Sequence, residues 1–269
     1  MPSVDVGGIG LHYERSGSGE PLLLIQGMSG THVSWGEAFR GRLEEEFDVV
    51  AFDNRGIGYS APIDGPFTIA EMAADTAGLL EALGIESAHV VGISMGGMIA
   101  QELALAHPER LRSLTLGCTY CGGPGSRLMP AENAQKLLAG MASGDRDKAI
   151  RASYEVNLSP AFRAEESRYA AFHEMATKVP AARQTIELQT QAIFGHDANG
   201  RLGEISTPTL VLHGTDDGVL PFPNGELIAS LVPGARFEPL QDVGHMFWWE
   251  RPERSGELIR EHALAAGAA

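Results

Sequence analysis

The chain is poor in cysteine, in positive charge and in long apolar runs. It has two cysteines, Cys118 and Cys121, in 269 residues. That is too few for a disulfide scaffold at this size, and with no second ligand pair beside them a zinc site is not expected. Only 20 residues are basic against 35 acidic, a net charge of -15. With no basic surface or basic run, nucleic acid and anionic membranes are not expected partners. Solubility alone accounts for the acidic excess, so it does not argue for a cationic substrate. No stretch approaches the roughly 18 apolar residues of a membrane span. The opening MPSVDVGGIGLHYERSGSGE lacks a basic start followed by an apolar core, so no secretory signal is visible. Internal repeats and low-complexity tracts are also missing. The expectation is a soluble, cytoplasmic protein; no interface is legible, so the oligomeric state is left open.

What is present is an alternation. Short apolar runs at Pro21–Ile25, Asp48–Phe52, His89–Gly92, Leu111–Leu116, Thr209–His213 and Ala235–Leu240 read as strands covered on both faces. Helical patterns lie between them. Thr68-Ile69-Ala70-Glu71 forms a capping box, with Phe67 and Met72 placed as a staple. Apolar residues then recur from Ile69 to Leu83 until Gly84 ends the run. A second helix runs from Gly96 to His107 and stops before Pro108. The pattern predicts an α/β fold with a mostly parallel sheet. From 120 to 203 the strands disappear and helical stretches near 131–141, 145–157, 161–175 and 181–194 take over. The division is therefore a core of 1–119 and 204–269 with a helical insertion at 120–203. That insertion leaves and rejoins the sheet beside strand C-terminal ends, where ligands of open α/β sheets bind, so it reads as a lid.

Gly92-Ile93-Ser94-Met95-Gly96 follows a strand and opens a helix. This is the context of a G-x-S-x-G nucleophile elbow, a sharp turn that projects a serine hydroxyl toward a reacting group. The competing reading is a glycine-rich turn with a capping serine. The glycines at 92, 96 and 97 fit neither a dinucleotide nor a phosphate-loop pattern. A serine needs a base, and the base needs an acid to orient it. Among nine histidines, His245 stands out, just past the last strand. Asp216 and Asp217 lie on the loop after the Thr209 strand, either placed to accept from His245. The chain order serine, aspartate, histidine is that of one fold type.

These residues carry a resemblance. With Gln26-Gly27-Met28, Asp53-Asn54-Arg55-Gly56-Ile57-Gly58-Tyr59-Ser60, Gly92–Gly96, Gly214–Pro221 and Gly244-His245, the chain resembles the α/β-hydrolase superfamily over essentially its whole length. It looks most like small lid-bearing bacterial serine esterases and 3-oxoadipate enol-lactonases. The resemblance implies Ser94 as nucleophile, His245 as base and Asp217 as acid, with an oxyanion hole from the backbone N–H groups of Met28 and Met95. It implies that Arg55 is a buried tie rather than a catalyst. Gln26 departs from the family's usual histidine. The loop lacks the proline of haloalkane dehalogenases and epoxide hydrolases, and Ser94 replaces their aspartate nucleophile.

Trp35, Tyr120, Met246, Phe247 and Trp248 lie near predicted strand ends and are candidates for an apolar substrate pocket. The expected partner is a small-molecule ester or lactone, small to medium and largely apolar, with no cofactor and no metal. Carbon–carbon bond hydrolysis of a β-diketone, cofactor-free perhydrolysis and ligand reception without turnover are the alternatives on the same residues.

Overall fold

The computed structural model describes residues 2–179 and 181–267. Eight strands form one sheet: β1 Ser3–Val6, β2 Ile9–Gly17, β3 Glu20–Ile25, β4 Phe47–Phe52, β5 Ala88–Ile93, β6 Leu111–Gly117, β7 Thr209–Gly214 and β8 Arg236–Leu240. Their order is β1-β2-β4-β3-β5-β6-β7-β8. From β4 to β8 every neighbouring pair is parallel, while β1 and β2 enter antiparallel at one edge.

The six strands read from apolar runs are all present, within a residue or two. The β1–β2 hairpin is the addition. β2 reads IGLHYERSG, where alternation is broken by charge, because an edge hairpin buries only part of each strand. The central strands are different: all six residues of β5 and of β7 are buried.

Helices cover both faces. α1 (Glu37–Glu44) lies opposite α2 (Ile69–Ala82) and α3 (Met95–Ala106). The Thr68 side chain accepts from the Glu71 N–H and completes the capping box. Gly84 ends this helix with φ of +69°. Between β6 and β7 come α4 (Ala131–Ala142), α5 (Arg146–Asn157), α6 (Pro160–Arg163), α7 (Ser167–Lys178) and α8 (Arg183–Phe194), with no strand among the described residues. The helical stretch read as 161–175 is thus two helices. α9 (Pro223–Leu231), α10 (Phe247–Glu250) and α11 (Pro252–Gly267) complete the chain. One core cluster packs α2, α3 and α9 against the sheet. The other packs α1, α10 and α11 against the opposite face. No helix among the described residues is long and apolar enough to cross a membrane.

The sheet reverses its winding between β3 and β5. The crevice beyond their C-terminal ends is where open α/β sheets place ligands. The Gln26–Gly30 loop leaves β3 there, and Ser94 leaves β5.

Candidate active site

Ser94 has φ 53° and ψ -123°, in the turn between β5 and α3. A non-glycine residue at positive φ is uncommon and costs on the order of 1–3 kcal/mol, so its neighbours must hold it. They do so through the backbone. Its N–H donates to the Gly117 carbonyl at 2.9 Å, and its carbonyl accepts from the Thr119 hydroxyl at 2.7 Å. The flanking glycines are needed for space. A Cβ on Gly92 would sit 2.3 Å from the Gly96 carbonyl oxygen, and one on Gly96 2.1 Å from that of Ile25. The G-x-S-x-G spacing is therefore a steric requirement of seating α3 against β3 and β5.

Asp217 and His245 meet on the loops after β7 and β8. Asp216 is exposed, whereas Asp217 is buried, and His245 Nδ1 lies 2.8 Å from Asp217 Oδ2. A carboxylate only accepts, so Nδ1 carries the proton and Nε2 keeps a lone pair. Asp217 Oδ1 accepts from the N–H groups of Val219 at 2.8 Å and Leu220 at 2.9 Å. Burial would raise the Asp217 pKa, but the charges and hydrogen bonds of His245 and His213 outweigh it and hold the carboxyl well below the usual range. The two loops are knitted together by backbone, as Asp216 N–H donates to the Val243 carbonyl at 2.9 Å.

Two further residues belong to this network and carry no motif. His213, the β7 histidine, places Nε2 2.7 Å from the Leu220 carbonyl and 3.1 Å from Asp217 Oδ2. It faces two acceptors, so Nε2 is a donor. Glu250 is buried and accepts from Gly244 N–H at 2.9 Å, Ser159 N–H at 2.7 Å and the Ser159 hydroxyl at 2.6 Å. It ties the His245 loop to Ser159, the N-cap of α6. Burial raises its pKa against those hydrogen bonds. Neither carries a sequence signal: the Glu250 partner Ser159 lies 91 residues away, and His213 reaches Asp217 and Leu220 only through the fold of the loop after β7. Cys118 is also fully buried, with its thiol pushed well up by burial and by the Asp217 charge; both cysteines are free.

The Gln26–Gly30 loop packs directly on the serine. A Cβ on Gly27 would lie 2.9 Å from Ser94 Cβ and 3.4 Å from Oγ. Ser29 is in a positive-φ conformation, 61°, and its N–H donates to Gln189 Oε1 of α8 at 2.9 Å. Met28 is 38% exposed and Met95 is fully buried at the start of α3. The Gln26 amide oxygen accepts from the next N–H, of Gly27, at 3.1 Å, and its Nε2 has no partner.

The apolar candidates divide. Trp35 is fully buried and stacks on Phe39 with ring centroids 5.6 Å apart. Phe247 is fully buried too, its ring against Gly117. Both are core fillers, because strand-end aromatics also seal the face of the sheet beneath α1 and α10. Tyr120 donates its hydroxyl to the Ile193 carbonyl at 2.7 Å. Trp248 donates its indole N–H to the Ser34 carbonyl at 2.9 Å. Met246 is buried. Arg55 pairs with Asp75 of α2 through Nε at 2.5 Å and Nη2 at 2.7 Å, so it ties a loop to a helix.

The alpha/beta hydrolase fold model matches residues 20–252. The chain belongs to the α/β-hydrolase fold family. It is 33% identical to RutD of Azorhizobium caulinodans, provisionally assigned as a carbamate hydrolase, over 96% of this chain and 97% of that one. Among solved structures it is similar to a thermophilic esterase from Thermogutta terrifontis, with TM-score 0.80 and 28% identity over 98% of this chain and 97% of the other. An N-acyl homoserine lactone degrading enzyme matches with TM-score 0.80 and 29% identity, over 97% and 99%. For an α/β-hydrolase the crevice at the β3/β5 reversal is the expected place for chemistry.

Proposed function

We propose that the protein is a serine hydrolase of a carboxylic ester or lactone, small to medium in size and largely apolar. The observation that carries this is the strained Ser94 turn at the same sheet edge as the Asp217–His245 pair. In this reading His245 Nε2 takes the proton from Ser94 Oγ as Oγ attacks the substrate carbonyl carbon. The resulting oxyanion is held by the N–H groups of Met28 and Met95, where one donor is typically worth about 3–4 kcal/mol. Collapse expels the alcohol oxygen, which receives the proton from His245, and leaves an acyl-Ser94 ester. Water then attacks that ester with its proton passing to His245, and collapse releases the acid and restores Ser94. Asp217 orients the imidazole and supports its charged form.

The apolar preference is supported by the inserted helices. Arg151, Arg168 and Arg183 each face a glutamate, Glu166, Glu165 and Glu187, which offsets their charge locally. In this reading those helices form a lid, with Gln189 of α8 bonding the oxyanion loop directly. Hydrolysis of a carbamate is the second reading, favoured by the similarity to RutD. It uses the same attack on a carbonyl with a different leaving group.

The test is steady-state hydrolysis of a p-nitrophenyl ester series, acetate to octanoate, by the wild type and Ser94→Ala. We expect turnover that favours intermediate chain lengths and falls by at least about 10³-fold in the variant. Equal rates in the two proteins would end the serine reading. A folded wild type that turns over carbamates but no ester would select the second.

A further inference from the structure

A second cluster of functional groups lies outside the triad, on the β2–β4 side of the sheet. His12 and Glu14 project from β2 and His32 from the turn just after the oxyanion loop. One ligand-type atom from each lies within 4.8 Å of the others. Both imidazoles are buried, at 1% and 3% exposure.

The hydrogen bonds around them fix their tautomers. His12 Nδ1 is 2.8 Å from the Pro2 carbonyl oxygen, and a carbonyl only accepts. His32 Nδ1 is 2.9 Å from Asp53 Oδ1, a buried carboxylate. In each neutral ring the proton is therefore on Nδ1, and Nε2 is a bare lone pair. His12 Nε2 is buried with no hydrogen-bond partner. His32 Nε2 lies 3.5 Å from Glu14 Oε1, and with the ring neutral these are two acceptors face to face. Such an arrangement is unfavourable without a cation to share.

We infer that His12, Glu14 and His32 form a binding site for one divalent transition ion of the Zn²⁺ type. Two imidazole Nε2 atoms and one carboxylate oxygen are a donor set that zinc takes, with water as a fourth ligand. Each histidine has its other nitrogen anchored to an oxygen acceptor, the second contact that ligating histidines require. Tetrahedral zinc ligands stand about 3.4 Å apart. The His32–Glu14 separation of 3.5 Å already fits, and the three ligand atoms all lie within 4.8 Å of one another, so binding needs a contraction of about an ångström. The other Glu14 oxygen accepts from Arg40 Nη1 at 2.7 Å, which fixes the carboxylate's orientation. Glu14 also lines a surface cleft of about 700 Å³ that carries Glu37, Glu44 and Glu174 against Arg40 and Lys178. The cleft gives an ion a route that is acidic on balance. Bound there, the ion would pin β2 to the segment leaving the oxyanion loop.

The experiment uses the full chain, stripped with a chelator and desalted. Zn²⁺ is titrated in competition with a chromophoric chelator, and Co²⁺ is added separately to read its visible absorption. We expect one tight Zn²⁺ per chain, a four-coordinate Co²⁺ spectrum and a rise in Tm on adding Zn²⁺. Glu14→Gln should weaken binding by at least about tenfold and abolish the Co²⁺ band. His12→Asn serves as a second variant and should do the same. His173→Asn, which removes an exposed histidine paired with Asp147, should change nothing. Absence of stoichiometric uptake by the folded wild type would overturn the site. So would binding that survives in both Glu14→Gln and His12→Asn. None of these readouts depends on Ser94 chemistry.

Discussion

At the scale of single residues, the acid of the proposed triad is distinguished by burial rather than by type. Asp216 and Asp217 are adjacent and chemically identical, yet one faces solvent and the other accepts from two histidines and two backbone N–H groups. His213 is a positioning residue in this scheme. Removing a hydrogen bond to a charged group costs about 1.5 kcal/mol or more, which is about tenfold in rate. His213→Asn should therefore lower kcat by roughly tenfold with KM little changed. A merely structural role would shift Tm and leave the kcat of the folded fraction intact, so active-site titration beside steady-state rates separates the two. The G-x-S-x-G pattern was readable because its glycines answer a local steric demand. His213 and Glu250 were not, because the conformation of the loop after β7 sets the one contact and a partner 91 residues away sets the other.

At the scale of elements, the close seating of α3 on the strands explains why glycine is irreplaceable at one place and dispensable at another. A Cβ on Gly96 would meet the Ile25 and Gln26 carbonyl oxygens at 2.1 and 2.7 Å, backbone atoms that cannot rotate away. Gly96→Ala should cost about 3 kcal/mol or more, as overpacking does when nothing yields. Gly41 lies inside α1 with nothing within 4 Å of the added carbon. Gly41→Ala should stabilise the protein by about 0.5–1 kcal/mol through helix propensity and unfolded-state entropy. Urea unfolding of both variants checks the pair; a tolerated Gly96→Ala would contradict the α3–β3 packing. The central strands and α2 were legible because burial on both faces and a complete capping box each leave a local signature. The β1–β2 hairpin was not, since an edge strand needs no continuous apolar run.

At the scale of the whole molecule, burial of neutral histidines makes stability depend on pH. Burial lowers the pKa of His12, His89, His196 and His262, against partly opposing carboxylates for the first three and backbone hydrogen bonds for His262. For His196 the fall is from 6.5 to about 4. Between those values the unfolded chain binds the proton and the folded one does not, so stability falls as pH falls through this window. The full shift corresponds to roughly 3 kcal/mol. Denaturant unfolding between pH 7 and pH 4 should show a steep loss for the wild type and a shallower one for His196→Gln. Identical slopes would mean that His196 is not held neutral by its surroundings.

The fold class, the serine between a strand and a helix, the histidine after the last strand and the helical character of the stretch between β6 and β7 were written in the sequence itself. Each rests on local periodicity, turn chemistry or chain order, all of which act between residues near one another in the chain. Tertiary structure alone decided which aspartate is buried, that Trp35 and Phe247 fill the core, and that Gln189 reaches the Gln26–Gly30 loop. It also brought His12, Glu14 and His32 together. Those outcomes depend on long-range packing and on which polar groups lose water, and neither is encoded in any short stretch of the chain.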